Sequence, residues 1–413
     1  MYLANSRAAD QASAQAGAKP RWHRVPPNVL ALGVVSLVTD ISAEMVTAIL
    51  PLYLVLGLGM NPLQFGLLDG LYAGATAVLR LVGGHAADRW RRLKAVAGIG
   101  YGLSAICKLG LLAAGSSVAA LGAVLALDRA GKGIRTAPRD ALISLSSKPE
   151  TLGRSFGVHR ALDTFGAFLG PLVAAGVLWV SLGDYGAVFV TSFCIAGCGV
   201  LLLVVLVRDH PRPGPSTAVP LRAMVGLLRI RSFRRCCVWA AALGLVTITD
   251  SFVYLALLRR WDVESTLFPL LPLGTAGTFL LLAVPLGRLA DRVGRWKLFL
   301  GGHAALVVAL LLICGPVGSP WLAAAALVLH GCFYAATDGV LPAAAGPLLP
   351  EHLRASGLAL LQTGQALARM VSAVFVGLAW TLWDIRPALL LTTALLLVVT
   401  LAAAVVRPWE VSR

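Results

Sequence analysis

The chain has 413 residues, 58% of them hydrophobic and only 13% charged, with a mean hydropathy of +0.81. Soluble domains carry roughly a quarter charged residues, and no single soluble core can hide this much Leu, Val and Ala, so a water-soluble globular protein is excluded. The net charge of +16 would suit nucleic acid, but the basic residues cluster in short links between apolar runs, the pattern of a multi-pass membrane protein.

Met1–Pro20 is polar and Ala-rich without an apolar h-region, so it is expected to be a tail and not a signal peptide. A membrane-crossing helix needs about 20 mainly apolar residues, and the chain has room for twelve. The first six are predicted at Asn28–Leu58, Pro62–Ala87, Lys94–Ala114, Ser117–Arg135, Leu152–Val180 and Gly183–Val207. A Pro- and Arg-rich linker follows. The second six are predicted at Phe233–Leu258, Thr266–Ala290, Trp296–Val317, Pro320–Pro342, Leu353–Leu382 and Ile385–Val406. The predicted fold is therefore all-α and polytopic, with segments 1–27 (disordered tail), 28–207 (first bundle), 208–231 (linker), 232–406 (second bundle) and 407–413 (tail).

Charge asymmetry supports this count. One set of links holds Arg89, Arg91, Arg92 and Lys94, then Arg139, Lys148 and Arg154, then the linker arginines, then Arg292, Arg295 and Lys297. The opposite set holds only Arg259, Arg260 and Arg386. The positive-inside rule then puts both termini in the cytoplasm. Trp261, Trp321 and Trp383 lie near span ends, where tryptophan anchors the interface. The seven cysteines show no ligand spacing, and no metal site or cofactor is predicted.

The halves resemble each other. Gly84-His85-Ala86-Ala87-Asp88-Arg89, leading to Arg92, is echoed by Gly287-Arg288-Leu289-Ala290-Asp291-Arg292, leading to Arg295, at a spacing of 203 residues. Leu152-Gly153-Arg154-Ser155-Phe156-Gly157 is echoed by His352-Leu353-Arg354-Ala355-Ser356-Gly357 at a spacing of 200. A near-constant spacing over separated landmarks indicates an internal repeat of half the chain. In such transporters the substrate binds near midplane at the repeat interface.

Several charges fall inside predicted spans, where each costs a few kcal/mol or more unless paired or hydrated. Arg129 lies about 12 residues, or roughly 18 Å, from the outer end of span four. Asp40 and Glu44 sit one turn apart on one face of span one, and Arg160 and Asp163 are at i and i+3 in span five. The family resemblance given below implies that spans one, four and five pack together, so these five are expected to form one buried or cavity-lining cluster, either a register-fixing salt-bridge network or a proton-coupling site at Asp40 or Glu44. An arginine beside a carboxylate holds it ionised, and withdrawing the arginine lets it take a proton. The second half offers Asp250 and Tyr254 in span seven, His330, Tyr334 and Asp338 in span ten, and Gln362 and Gln365 in span eleven as candidate cavity residues.

These motifs resemble the major facilitator superfamily. Gly84–Lys94 and Arg288–Lys297 resemble its signature loop, the second copy more fully because it carries Gly294. The resemblance implies that Gly84, Asp88, Arg89 and Arg92, with Gly287, Asp291, Arg292 and Arg295, gate the transporter and do not bind substrate. Leu127–Arg135 resembles the family's fourth-helix motif, with Lys132 where Gln is usual. Gly166, Gly170 and Pro171 resemble the motif that in the family accompanies exporters, with Ala174 and Ala175 in place of its later glycines. The wider pattern resembles a large bacterial group mostly without assigned substrates.

The expected function is proton-coupled export of a small organic or amphipathic compound, by a monomer in the bacterial inner membrane. The partners are a small-molecule substrate, protons and the lipid bilayer, and no nucleic acid. The alternatives are a symporter or uniporter importing a polar nutrient, and a non-transporting receptor or enzyme. The last lacks any nucleophile–base pair, metal-ligand spacing or phosphate loop.

Overall fold

The computed structural model describes residues 25–89, 92–147, 152–209, 221–261, 264–316, 319–350 and 353–405. Inside helices, the side chains of 76–89, 137, 152–153, 221 and 355 fall outside that description. Nearly all of the expected tails and much of the linker lie outside it as well.

The described chain is helical. The first half comprises α1 (Pro27–Leu52), α2 (Pro62–Arg89), α3 (Leu93–Ala113), α4 (Val118–Leu145), α5 (Leu152–Val180) and α6 (Tyr185–Leu206). A short helix at Leu221–Gly226 leads into the second half. There α7 is split into α7a (Arg231–Val246) and α7b (Asp250–Trp261), followed by α8 (Leu271–Val293) and α9 (Arg295–Cys314). The tenth span is split into α10a (Pro320–Thr337) and α10b (Val340–Ala345), and α11 (Arg354–Trp383) and α12 (Ile385–Val405) complete the bundle.

Ten helical segments among the described residues are long and apolar enough to cross a membrane. The remaining two of the twelve predicted spans are α2 and α4. The latter carries Asp128, Arg129, Lys132, Arg135, Arg139 and Asp140 along its length. Burial is reversed relative to a soluble protein. Leu182, Trp321 and Val405 are 95%, 84% and 84% exposed, whereas Arg129, Arg135 and Arg139 are each buried. Apolar outside and polar inside is the arrangement that lipid imposes.

Three predicted spans differ from the structure for local reasons. The fourth does not end at Arg135 but continues through Pro138 to Leu145. Leu142 and Ile143 bury there against Val29 and Leu32, so tertiary packing outweighs the local proline signal. The seventh breaks at 247–249, because Val246-Thr247-Ile248-Thr249 is a run of β-branched residues, which crowd a helix. The Thr247 hydroxyl donates back to Leu243 O at 2.7 Å, and Ser372 Oγ in α11 donates to the freed Thr247 carbonyl at 2.9 Å. The tenth breaks at Asp338-Gly339, where the chain turns between α10a and α10b.

Within the first half α1 packs on α5 and α6, and α4 on α2 and α3. Within the second half α10a packs on α8 and α9, and α11 on α7a and α12. The halves meet along α2 and α11. A Cβ on Gly70 would lie 2.7 Å from the Met370 carbonyl, and one on Gly66 or Gly377 would strike the opposite backbone. This Gly66, Gly70, Gly74 stripe on α2 has the four-residue spacing that lets helix backbones touch. Leu63 N donates to Thr381 Oγ1 at 3.0 Å at the same end. Helices α1 and α5 also contact the 3₁₀ turn Ser265–Leu270 there. That end lies across the bundle from the start of α1 and the end of α12. The seam is sealed at that end, and toward the other end Arg160, Phe165 and Gln362 are exposed.

Candidate functional site

Between the halves lies a cavity of about 350 Å³. Glu44, Asp69, Tyr72 and Pro171 line it from the first half, and Asp250, Tyr254, Tyr334 and Arg369 from the second. Leu50, Leu54, Phe65 and Ile248 supply an apolar wall. A second space of about 290 Å³ adjoins it through Ala73 and Arg369, and is lined by Asp338, Gln362 and Gln365. The candidate cavity residues of the second half therefore lie around these two spaces, except His330, which is fully buried behind Asp250.

The five charges expected in one cluster divide into two networks. Arg129 does not pair with Asp40. It binds its own neighbour Asp128 and lies 4.0 Å over the Tyr72 ring, while Ser104 donates to Asp128 and Lys108 Nζ sits 3.9 Å away. Glu44 lies within electrostatic reach of Arg129 and Lys132 and faces the cavity. Asp40 instead pairs with Arg135 at 3.4 Å. Asp163 accepts from Ser36 Oγ at 2.6 Å, lies 3.7 Å from Arg139, and is within hydrogen-bonding reach of Asp40. Arg160 lies 3.4 Å from Asp163 but is 66% exposed. The reason for the new partners is the length of α4. Its extra turns bring Arg139 against Ser36 and Asp163, and its rotation points Arg135, not Arg129, at Asp40 of α1.

Asp40 on α1 and Asp163 on α5 thus stand near each other, flanked by Arg135 and Arg139.

Gly166 and Gly170 face α1, where a Cβ on Gly170 would come 2.6 Å from the Glu44 Cβ. Pro171 sits beside them at the cavity wall, so the motif both packs α5 on α1 and shapes the space. In the second signature loop Gly294 turns the chain with φ of 105°, a conformation that favours glycine. Across that turn Arg295 pairs with Asp291 at 2.9 Å and donates to the Ala343 carbonyl of α10b at 2.7 Å. Gly287 and Arg292 belong to the same end of α8, and Arg292 is exposed. In the first loop Arg92 precedes α3 and is exposed, while the side chains at Gly84, Asp88 and Arg89 lie outside the described residues. Arg260 and Arg386 donate to the Gly315 and Cys314 carbonyls at 2.5 and 3.1 Å, capping the end of α9.

Asp69 was missed by sequence reasoning. Its Oδ2 accepts from Thr249 Oγ1 at 2.6 Å, joining α2 to the break in α7 across the seam. The rule that singled out Asp40, an ionisable residue within an apolar span, applies equally to Asp69.

The Major Facilitator Superfamily model matches residues 32–282 and 265–411. An uncharacterised MFS-type transporter of Methanocaldococcus jannaschii is 30% identical over 363 residues, covering 86% of this chain and 88% of that one. The chain belongs to the major facilitator superfamily. An uncharacterised protein of Mycobacterium tuberculosis is 36% identical over 185 residues, 45% of each chain. The crystal structure of the nucleoside transporter NupG superposes with a TM-score of 0.77 at 14% identity, covering 92% of this chain and 99% of that one. The peptide transporter POT in complex with sulfate gives 0.74 at 16%, covering 93% and 94%. These similarities show the superfamily fold and a multi-pass membrane transporter of the major facilitator kind.

Proposed function

We propose that the protein is a secondary transporter, not an enzyme, that exports a small amphipathic organic compound in exchange for protons by alternating access. On this reading 28–207 and 232–406 are two bundles that rock about the central cavity, with both termini cytoplasmic and the protein a monomer in a bacterial inner membrane. The observation that carries the proposal is the makeup of that cavity. Carboxylates from both halves, Glu44, Asp69 and Asp250, outnumber Arg369 among Tyr72, Tyr254, Phe65 and aliphatic side chains. Such a surface suits a compound with an apolar body and a positive centre. A proton and a cation compete for the same carboxylates, which gives exchange without further machinery. Asp40, near Asp163, supplies a second place for a proton behind the Gly166, Gly170, Pro171 packing of α5 on α1. The two signature loops act as gates on the cytoplasmic side.

Proteoliposomes with an imposed pH gradient, screened against a panel of cationic, neutral and zwitterionic compounds, test this reading. Substrate and protons are expected to move in opposite directions, with cations preferred. Substrate entering together with protons would overturn export. A second reading, import of a polar nutrient, draws on Asp338, Gln362, Gln365 and Arg369 around the adjoining space. It predicts that the polar, uncharged members of the panel are carried instead.

A further inference from the structure

The second half carries a buried chain of protonatable groups that the charge cluster of the first half does not include. Asp250 is the first residue of α7b, at the point where the break in α7 aims it into the central cavity. Its Oδ1 accepts from the Tyr334 hydroxyl at 2.5 Å and lies 3.3 Å from His330 Nε2. That approach is at ion-pair distance, yet Nε2 makes no directed hydrogen bond and is wholly buried. A polar atom buried in this way costs free energy unless it has a partner. The other ring nitrogen, Nδ1, lies 3.2 Å from Thr275 Oγ1 in α8. The ring is held by Tyr254 edge-on at 5.9 Å and by Phe333 stacked at 6.3 Å. The imidazole is therefore fixed in place between the Thr275 hydroxyl and a carboxylate that faces the cavity.

We infer that Asp250, His330 and Tyr334 form a proton-binding site in the second half, with the His330 imidazole as the acceptor and Asp250 as its contact with the cavity. A proton from cavity water adds to whichever ring nitrogen carries the lone pair in the neutral tautomer. The resulting imidazolium pairs with Asp250 Oδ1, and Tyr334 must share or release that oxygen. Loss of the proton to water reverses the change, so no other reactant is consumed. The charged and titratable groups around the site are Asp69 on α2, Tyr254 on α7b, Asp338 on the turn after α10a, Arg369 on α11, and His303 on α9 behind Phe333. Arg369 lies 5.9 Å from the centres of the Tyr334 and Phe333 rings, so its charge bears on the same oxygen. Because Asp250 leads directly out of the 247–249 break, a change in its partners acts on the element that Asp69 grips through Thr249.

The inference gives a purpose to this site only within the proton-coupled reading, but proton binding is measurable without transport. The full chain is labelled with ¹³C,¹⁵N-histidine, placed in lipid nanodiscs, and titrated by NMR. The His330 signal is assigned among the seven histidines by its loss in His330→Gln. We expect that signal to gain a proton as the pH is lowered, and Asp250→Asn to displace its midpoint by at least tenfold in proton concentration. Tyr334→Phe displaces it by less and keeps the fold. A His330 signal that stays in one tautomer across the titration, or a midpoint unmoved in Asp250→Asn, overturns the site. If His330 titrates as expected while proteoliposomes show no proton movement, the site stands and the antiport reading falls.

Discussion

The two halves hold their intramembrane charges differently. In the first half they pair across helices. Arg135 of α4 reaches Asp40 of α1, Arg139 reaches Asp163 of α5, and Lys108 of α3 approaches Asp128. In the second half Asp250, Asp338 and Arg369 line open space, and among the described residues His330 and Tyr334 hold Asp250 from behind. Charges paired between helices fix the position of those helices, whereas charges at a cavity wall remain available to a ligand. The first half thus combines a frame of paired charges with Glu44 and Asp69 at the cavity wall, and the second presents Asp250, Asp338 and Arg369 along that wall.

The largest effect expected from this difference is on stability. Arg135→Ala leaves Asp40 buried without its cation and is expected to cost about 3–5 kcal/mol. Arg160→Ala, at an exposed pair, is expected to cost no more than about 1 kcal/mol. Thermal unfolding in detergent compares the two, and equal losses would show that the first-half network is not a frame. Arg129→Ala is expected to reduce transport with normal membrane insertion, since Asp128 keeps Lys108 and Ser104 as partners.

The next effect is on coupling. Asp40→Asn is expected to reduce uptake driven by a pH gradient tenfold or more while leaving substrate exchange intact, and Glu44→Gln, at the cavity wall, to reduce both. Proteoliposome flux with and without the gradient separates the two modes. If both variants couple normally, the proton site of the first half lies elsewhere, with Asp163 the next position to replace.

How far these contrasts could be read beforehand depended on the kind of signal. The helix count followed from the 203- and 200-residue spacings and from where arginine collects, because lipid enforces both. Asp40, Glu44 and Asp163 stood out because a carboxylate in an apolar run is costly. Their partners did not, because pairing depends on how far α4 extends and how it is rotated, and Pro138 marked a false end. The break at 247–249 was written in four successive β-branched residues, but a hydropathy profile counts Val and Ile as span and passes over it. The Gly66, Gly70, Gly74 stripe was equally visible and shows only when spacing, not composition, is examined.

That stripe sets a third expectation, on the sealed end of the seam. Gly70→Leu places a side chain where a Cβ alone meets the Met370 carbonyl at 2.7 Å, and backbone cannot move aside as a side chain does. The variant is expected to fold but to populate the opposite-facing state. Spin labels on Asn61 and Asp384, at the ends of α2 and α11, would then move apart. An unchanged distance distribution in a folded, active variant would mean that the close approach of α2 and α11 does not control the gate.

The smallest expected effect tests whether the two halves communicate through one hydrogen bond. Thr249→Ala removes the donor to Asp69 and leaves the break in α7 otherwise intact, since Ser372 still holds the Thr247 carbonyl. Losing one hydrogen bond to a charged group is worth about 1.5–3 kcal/mol when nothing replaces it. Cavity water can replace it here, so a shift of about 1 kcal/mol, or roughly fivefold in the ratio of the two facing states, is expected. Thr249→Ser restores the donor and should restore the ratio. If serine and alanine behave alike, the contact is incidental to gating, and the frame and the substrate wall exchange information through packing along α2 and α11 instead.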